Sequence, residues 1–266
     1  MDIKTKIKNS LFVKSLGLAK SNPDKIGLMV LFDALFIVSF FILKKFFDSF
    51  AGQFSLPTTA GAFYIFVIFS LIYYLIVLFA YSFFKYGMLH FIKSLFSKSY
   101  FSAARLWNFY LLNVIIAGIF FAIILVFNLV LASLKQTYAP YVFIVLAIPY
   151  FLSLYVIINI SHSIFYGGGS IKNTLKKSIG ITFTDMEKYR ETIFIMILSA
   201  MALWLIFFGS GYLVKYSTSG NNTAYLIAYG YFRQISLIII DIAAYAIILV
   251  NRISFYSLMN PSKNYK

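Results

Sequence analysis

Apolar residues along this chain gather into six runs, at 26–47, 63–92, 107–134, 141–165, 192–214 and 224–252. Each is longer than the roughly 18 to 20 residues a helix needs to cross a hydrocarbon core of ~30 Å. The pattern predicts an all-α fold: a polytopic membrane helix bundle of about six transmembrane helices, forming a single membrane domain over 1–266. The first run has a well-marked start, because Asn22 can cap a helix and Pro23 suits its first turn, where a missing N–H costs nothing. Pro149 lies inside the fourth run, and there predicts a kink or a carbonyl that a neighbouring helix must satisfy.

Composition supports lipid as the solvent. Of 266 residues, 61% are hydrophobic and only 12% charged, about half the charged share of an average soluble domain, roughly 25%. No cysteine occurs, which removes disulfides, thiolate metal sites and a cysteine nucleophile. The net charge of +15 would suit nucleic acid, but the basic residues sit in short segments beside the apolar runs. Anionic headgroups meet them there, so membrane lipid and not nucleic acid is the expected partner.

The basic segments also orient the chain. Lys4, Lys6, Lys8, Lys14, Lys20 and Lys25 precede the first run; Lys93, Lys98 and Arg105 lie after the second; Lys172, Lys176, Lys177, Lys188 and Arg190 lie after the fourth. The alternate loops are nearly bare: 49–62 holds no charge, 135–140 only Lys135 and 215–223 only Lys215. By the positive-inside rule the basic segments face the cytoplasm, which predicts a multi-pass cell-membrane protein with cytoplasmic N- and C-termini.

A short basic motif recurs ahead of the odd-numbered runs: IKNSLFVKS from Ile7, IKSLFSKS from Ile92 and IKNTLKKS from Ile171. The nearly equal spacing predicts three parallel repeats, about 7–91, 92–170 and 171–258, each an amphipathic helix plus a transmembrane hairpin. In the second copy Ile92, Leu95, Phe96, Ser99 and Tyr100 share one helical face, and in the third Ile171, Leu175 and Ile179 line up. Such helices either lie in the headgroup plane or fold as elbows on neighbouring spans. In the headgroup plane, Lys8, Lys14, Lys93, Lys98, Lys172, Lys176 and Lys177 are the candidate contacts to anionic lipid, each worth ~1 kcal/mol.

This layout, carried by the three motifs ahead of their hairpins, resembles that of a loose set of prokaryotic six-span membrane proteins, including the membrane domain attached to some glycerophosphodiester phosphodiesterases. The resemblance lies in organisation. The soluble phosphodiesterase domain has no counterpart in these residues, so no catalytic residue is carried over. What the resemblance implies is a lipid-associated membrane module, acting alone or with a membrane-protein partner.

Ionisable groups inside apolar spans cost about 2.5–3.5 kcal/mol each on the insertion scale, which makes Asp33, Arg233 and Asp241 the candidate intramembrane polar residues. They read as an ion path, or as structural partners with Arg233 reaching the outer interface. Asn113, Asn128 and Asn159, with Gly118 and Gly209, read as interhelical hydrogen bonds and close contacts. Lys44, Lys45 and Lys85 read as snorkelling side chains. His90 and His162 have no carboxylate at ligand spacing, and the glycines of 167–169 lack the lysine and preceding strand of a phosphate loop. No metal, cofactor or catalytic set is expected. The reading is a lipid-interacting or partner-scaffolding membrane module, not an enzyme; the alternative is a transporter or channel with a polar path near Asp33, Arg233 and Asp241.

Overall fold

The computed structural model describes residues 10–51, 59–218, 220 and 222–261. Among these the fold is all-α, without a strand. Its helices are α1 Leu11–Ser21, α2 Pro23–Ala51, α3 Ala60–Ser94, α4 Ala103–Ala132, α5 Ala139–Gly167, α6 Ile171–Thr184, α7 Glu187–Ser217 and α8 Asn222–Met259. Six of them, α2 to α5 with α7 and α8, are long and apolar enough to cross a membrane. They follow one another as the pairs α2–α3, α4–α5 and α7–α8, the layout of a multi-pass helical membrane protein.

Local chemistry sets the helix ends. Asn22 precedes Pro23, and its carbonyl accepts from the Ile26 N–H at 3.2 Å. Thr59 caps α3 in extended conformation, its side chain accepting from the Ala62 N–H at 3.2 Å. At the end of α5, Gly168 takes φ +123°, and the Gly168 and Gly169 N–H groups donate to Phe165 O and Ile164 O, both at 3.1 Å. Only glycine enters that region freely, so the chain can reverse at once into α6. Pro149 does not break α5, which stays helical throughout.

The spans overrun a bilayer. At 1.5 Å per residue, the 35 residues of α3 extend about 52 Å and the 38 of α8 about 57 Å, against a hydrocarbon core of ~30 Å. Burial follows the excess. The early turns of these helices display apolar side chains, whereas buried residues concentrate at 82–92 of α3, 156–166 of α5 and 249–256 of α8. Leu129 and Val145 are 73% and 69% exposed, an arrangement that water penalises at about 25 cal/mol per Å² and hydrocarbon does not.

The chain forms two compact units. One joins α1 with α7 and α8; the other comprises α2 to α6 together with residues 259–261. In the first, α1 packs on α7, and the Leu11 N–H donates to the Glu191 carboxylate at 3.1 Å. In the second, α2 lies along α3, α3 packs on α4 and α5, and α6 packs on α5 and α4. Gly87 makes the α2–α3 contact possible, because a Cβ there would strike the Phe32 ring.

The second of the three short basic helices is not a separate element. Residues 92–94 complete α3, the N–H groups of Leu95, Phe96 and Ser97 close a turn onto Ile92 O and Lys93 O, and 98–102 are irregular. Ile92, Leu95, Phe96, Ser99 and Tyr100 therefore share no helical face. No proline interrupts 60–94, so the spanning helix simply runs on. Helices do stand before the first and third pairs, as α1 and α6.

Candidate functional site

The third motif folds as α6, and its 14 residues form three stripes. Thr174, Ser178 and Thr182, spaced by four, are buried. Small hydroxyl side chains let helix backbones approach closely, and the Ser178 and Thr182 hydroxyls donate within the helix, to Leu175 O at 3.0 Å and Ser178 O at 2.7 Å. Lys172, Lys176 and Lys177 are exposed. Between these stripes Leu175, Ile179 and Phe183 form one wall of an open cleft of about 330 Å³, whose other walls come from α4 and α5. The lining is hydrocarbon except for Ser153 and the Tyr150 hydroxyl, and that hydroxyl donates to Phe120 O at 3.1 Å.

The basic ends of α3, α4 and α5 are joined by buried polar contacts. His162 Nε2 lies 2.7 Å from Asn113 Oδ1. The Asn113 amide donates to Ser82 Oγ at 2.9 Å, and Ser82 donates to Leu78 O at 2.7 Å. One amide thus links three helices. Nearer the chain reversal, His90 Nδ1 lies 3.0 Å from Ser99 Oγ and 3.2 Å from the Tyr166 hydroxyl. The Lys93 ammonium sits 5.4 Å from the centre of the Tyr166 ring, a cation–π distance. Arg105 donates to Phe165 O at 2.8 Å while stacking over the Phe165 ring. Asn260 donates to Ser163 O at 3.2 Å and fills the space that a side chain at Gly167 would need. These groups face helix carbonyls and rings, which makes the arrangement a clamp across helices. Among the described residues no three histidine, aspartate or glutamate side chains come together as a metal site.

The structure distributes the residues singled out from the sequence as follows. Lys8 lies outside the described residues. Lys14 is exposed on α1 and Lys98 is exposed ahead of α4, whereas Lys93 is half-buried. Lys172, Lys176 and Lys177 are each exposed on α6, with Lys172 and Lys176 on one flank. Asp33 is half-buried on α2, in the unit of α2 to α6; Arg233 and Asp241 are exposed on α8, in the other unit. Eight residues along one helix set Arg233 and Asp241 about 12 Å apart, beyond a direct ion pair.

Several packing expectations change. Gly118 and Gly209 have open space where a Cβ would stand, while Gly87, Gly167 and Gly211 carry the close approaches. Asn113 makes its interhelical bonds, but Asn159 donates within its own helix, to Tyr155 O, and Asn128 is exposed. Lys85 is buried instead of snorkelling, because α3 continues past it into packed protein. Lys44 pairs with Asp48 one turn on, at 2.6 Å. Ser82, Tyr166 and the cleft itself escaped sequence reasoning, and Arg105 was read there only as an orienting charge. The signal for Ser82 and Tyr166 is polar and aromatic residues recurring at helical spacing in 81–90 and 159–166.

Comparison with protein-family models, with curated proteins and with solved structures finds no match for the chain. Its function is therefore read from the chemistry of these surfaces.

Proposed function

We propose that the chain is a non-enzymatic, multi-pass membrane module that gathers anionic lipid at its basic side, with that side and both termini in the cytoplasm. The observation that carries this reading is α6. Its hydroxyl stripe is packed away, its apolar stripe borders a hydrocarbon cleft, and Lys172, Lys176 and Lys177 remain exposed. Lysines held at a membrane surface attract anionic headgroups by ~1 kcal/mol each. Lys98, in the same unit as α6, is exposed as well.

Arg233 and Asp241 bear on a partner-scaffolding role beside the lipid-gathering one. Both are exposed on α8 within a helix apolar enough to span a membrane. Ionisable groups in that setting need polar partners, which a neighbouring membrane protein would supply.

The test uses the full-length protein in nanodiscs of equal phosphatidylglycerol and phosphatidylcholine, with the lipid retained after detergent extraction counted by mass spectrometry. Retained phosphatidylglycerol should exceed phosphatidylcholine several-fold, and the excess should fall at least threefold in the Lys172→Gln, Lys176→Gln, Lys177→Gln variant. An equal ratio in the parent protein, or an unchanged ratio in the variant, overturns the reading.

A further inference from the structure

The apolar cleft beside α6 has a narrower role. We infer that it holds one acyl chain of an anionic glycerophospholipid, whose headgroup is held by Lys172 and Lys176. This rests on the lipid-gathering reading and deepens it, from a charged surface to a single built site.

Its medium and its walls fix the class of occupant. α4 and α5 are membrane spans by length and composition, and the lining offers a bound water almost nothing, since the Tyr150 hydroxyl is already committed to Phe120 O. A water needs two to four polar partners; a hydrocarbon chain needs none. The volume, about 330 Å³, is at the low end of small-molecule pockets, roughly 300–1,000 Å³. Two turns of a partner helix, about 10–12 Å across with side chains and ~11 Å long, need more than this volume. A single acyl chain does not.

Position along α6 fixes the kind of lipid. At about 100° per residue, Lys172 points within about 20° of Ile179 and Phe183, and Lys176 within about 20° of Phe183. The lysines lie towards the glycine turn, and Ile179 and Phe183 follow further along the helix, about 10 and 16 Å beyond Lys172. One flank of the helix therefore reads cation first and hydrocarbon afterwards, the order in which a phospholipid presents phosphate and then chain. Phosphate fits lysine as a point charge, and the amphipathic helix covers the chain below it.

The experiment uses the full-length protein in nanodiscs carrying phosphatidylglycerol, or phosphatidylcholine, with a photoactivatable diazirine midway along one acyl chain. Adducts are mapped by peptide mass spectrometry. Phosphatidylglycerol should label Ile116, Ile179 and Phe183 at least threefold more than the open, lipid-facing Leu129 and Val145. Filling the cleft with Ser153→Phe, or separately with Ile116→Trp, should remove that enrichment while labelling at Leu129 and Val145 persists, which also reports that the variant is folded and inserted. Lys172→Gln with Lys176→Gln should abolish the preference of the cleft for phosphatidylglycerol and leave labelling by phosphatidylcholine.

Labelling of the cleft no stronger than at Val145, or enrichment that survives both filling variants, overturns the inference. If retained lipid is still enriched in phosphatidylglycerol in that case, the general lipid-gathering reading stands and only the built site falls. Equal cleft labelling by both lipids overturns the assignment to an anionic lipid, and, with an equal ratio of retained lipid, the broader reading too.

Discussion

Replacing Asn113 tests the clamp where it is most concentrated. The side chain is buried, as are its neighbours Ser82 and His162, and it holds two hydrogen bonds to two other helices, at 2.7 and 2.9 Å. Interhelical hydrogen bonds in membrane proteins contribute about 0.6 kcal/mol on average and about 1.7 at most. Two of them give about 1–3 kcal/mol. Asn113→Ala also strips a partner from a buried imidazole, which costs about 1–3 kcal/mol when the group finds no other. The expected loss is thus about 2–6 kcal/mol, measured by titrating the purified protein from mild micelles into dodecyl sulfate and following helicity. Ser82→Ala, which breaks one interhelical bond and the serine's bond to Leu78 O within α3, should lose about 1 kcal/mol. The Ser82→Ala, Asn113→Ala double variant should lose less than the sum of the singles by about 0.6–1.7 kcal/mol, the coupling between them. Pairing Asn113→Leu with His162→Phe, so that both polar partners become apolar, should recover much of the loss. Asn113→Ala within about 0.5 kcal/mol of the parent, or a strictly additive cycle, would refute the claim that this amide joins α3, α4 and α5.

Two further substitutions probe the same region. Arg105→Lys keeps the charge but loses the planar fork that donates to Phe165 O while stacking on its ring; a loss of about 1–2 kcal/mol is expected in the same titration, and no change would show that charge alone is used. Gly167→Ala places a methyl on the Asn260 side chain, so the Asn260 bond to Ser163 O should break. Limited proteolysis should then cut after Met259 faster than in the parent, as it should in Asn260→Ala, and the two changes together should do no more than either alone.

The six spans were legible because length and apolarity alone decide them, and observed helices such as Ala60–Ser94 and Ala103–Ala132 enclose or nearly match the apolar runs at 63–92 and 107–134. The helix after the fourth span was legible as well, since Ile171, Leu175 and Ile179 mark one helical face. The same periodicity misled at Ile92. Spacing of three and four cannot distinguish a new helix from the tail of a long one, and no breaker precedes that residue. Nor did the sequence reveal that α3 and α5 extend beyond a bilayer into packed protein. Tyr86, His90, Ser161 and His162 interrupt apolar runs without ending them, and a window built to detect hydrocarbon averages them away. The clamp needs pairs such as Ser82 with Asn113, and Arg105 with Phe165, which only the packing of α3, α4 and α5 brings together. The candidate lysines of α6 were visible as charges; that their helix borders an apolar cleft depends on Ile116 and Phe120, far away in sequence.

The absence of native cysteine makes topology directly measurable. Single Lys177→Cys and Thr59→Cys variants, expressed in intact cells and exposed to a membrane-impermeant maleimide, separate the two sides of the bilayer. With α6 on the cytoplasmic leaflet, Thr59→Cys reacts from outside, and Lys177→Cys reacts only after the membrane is permeabilised. Ready labelling of Lys177→Cys in intact cells, with Thr59→Cys protected, contradicts the placement of the basic surface on the inner leaflet.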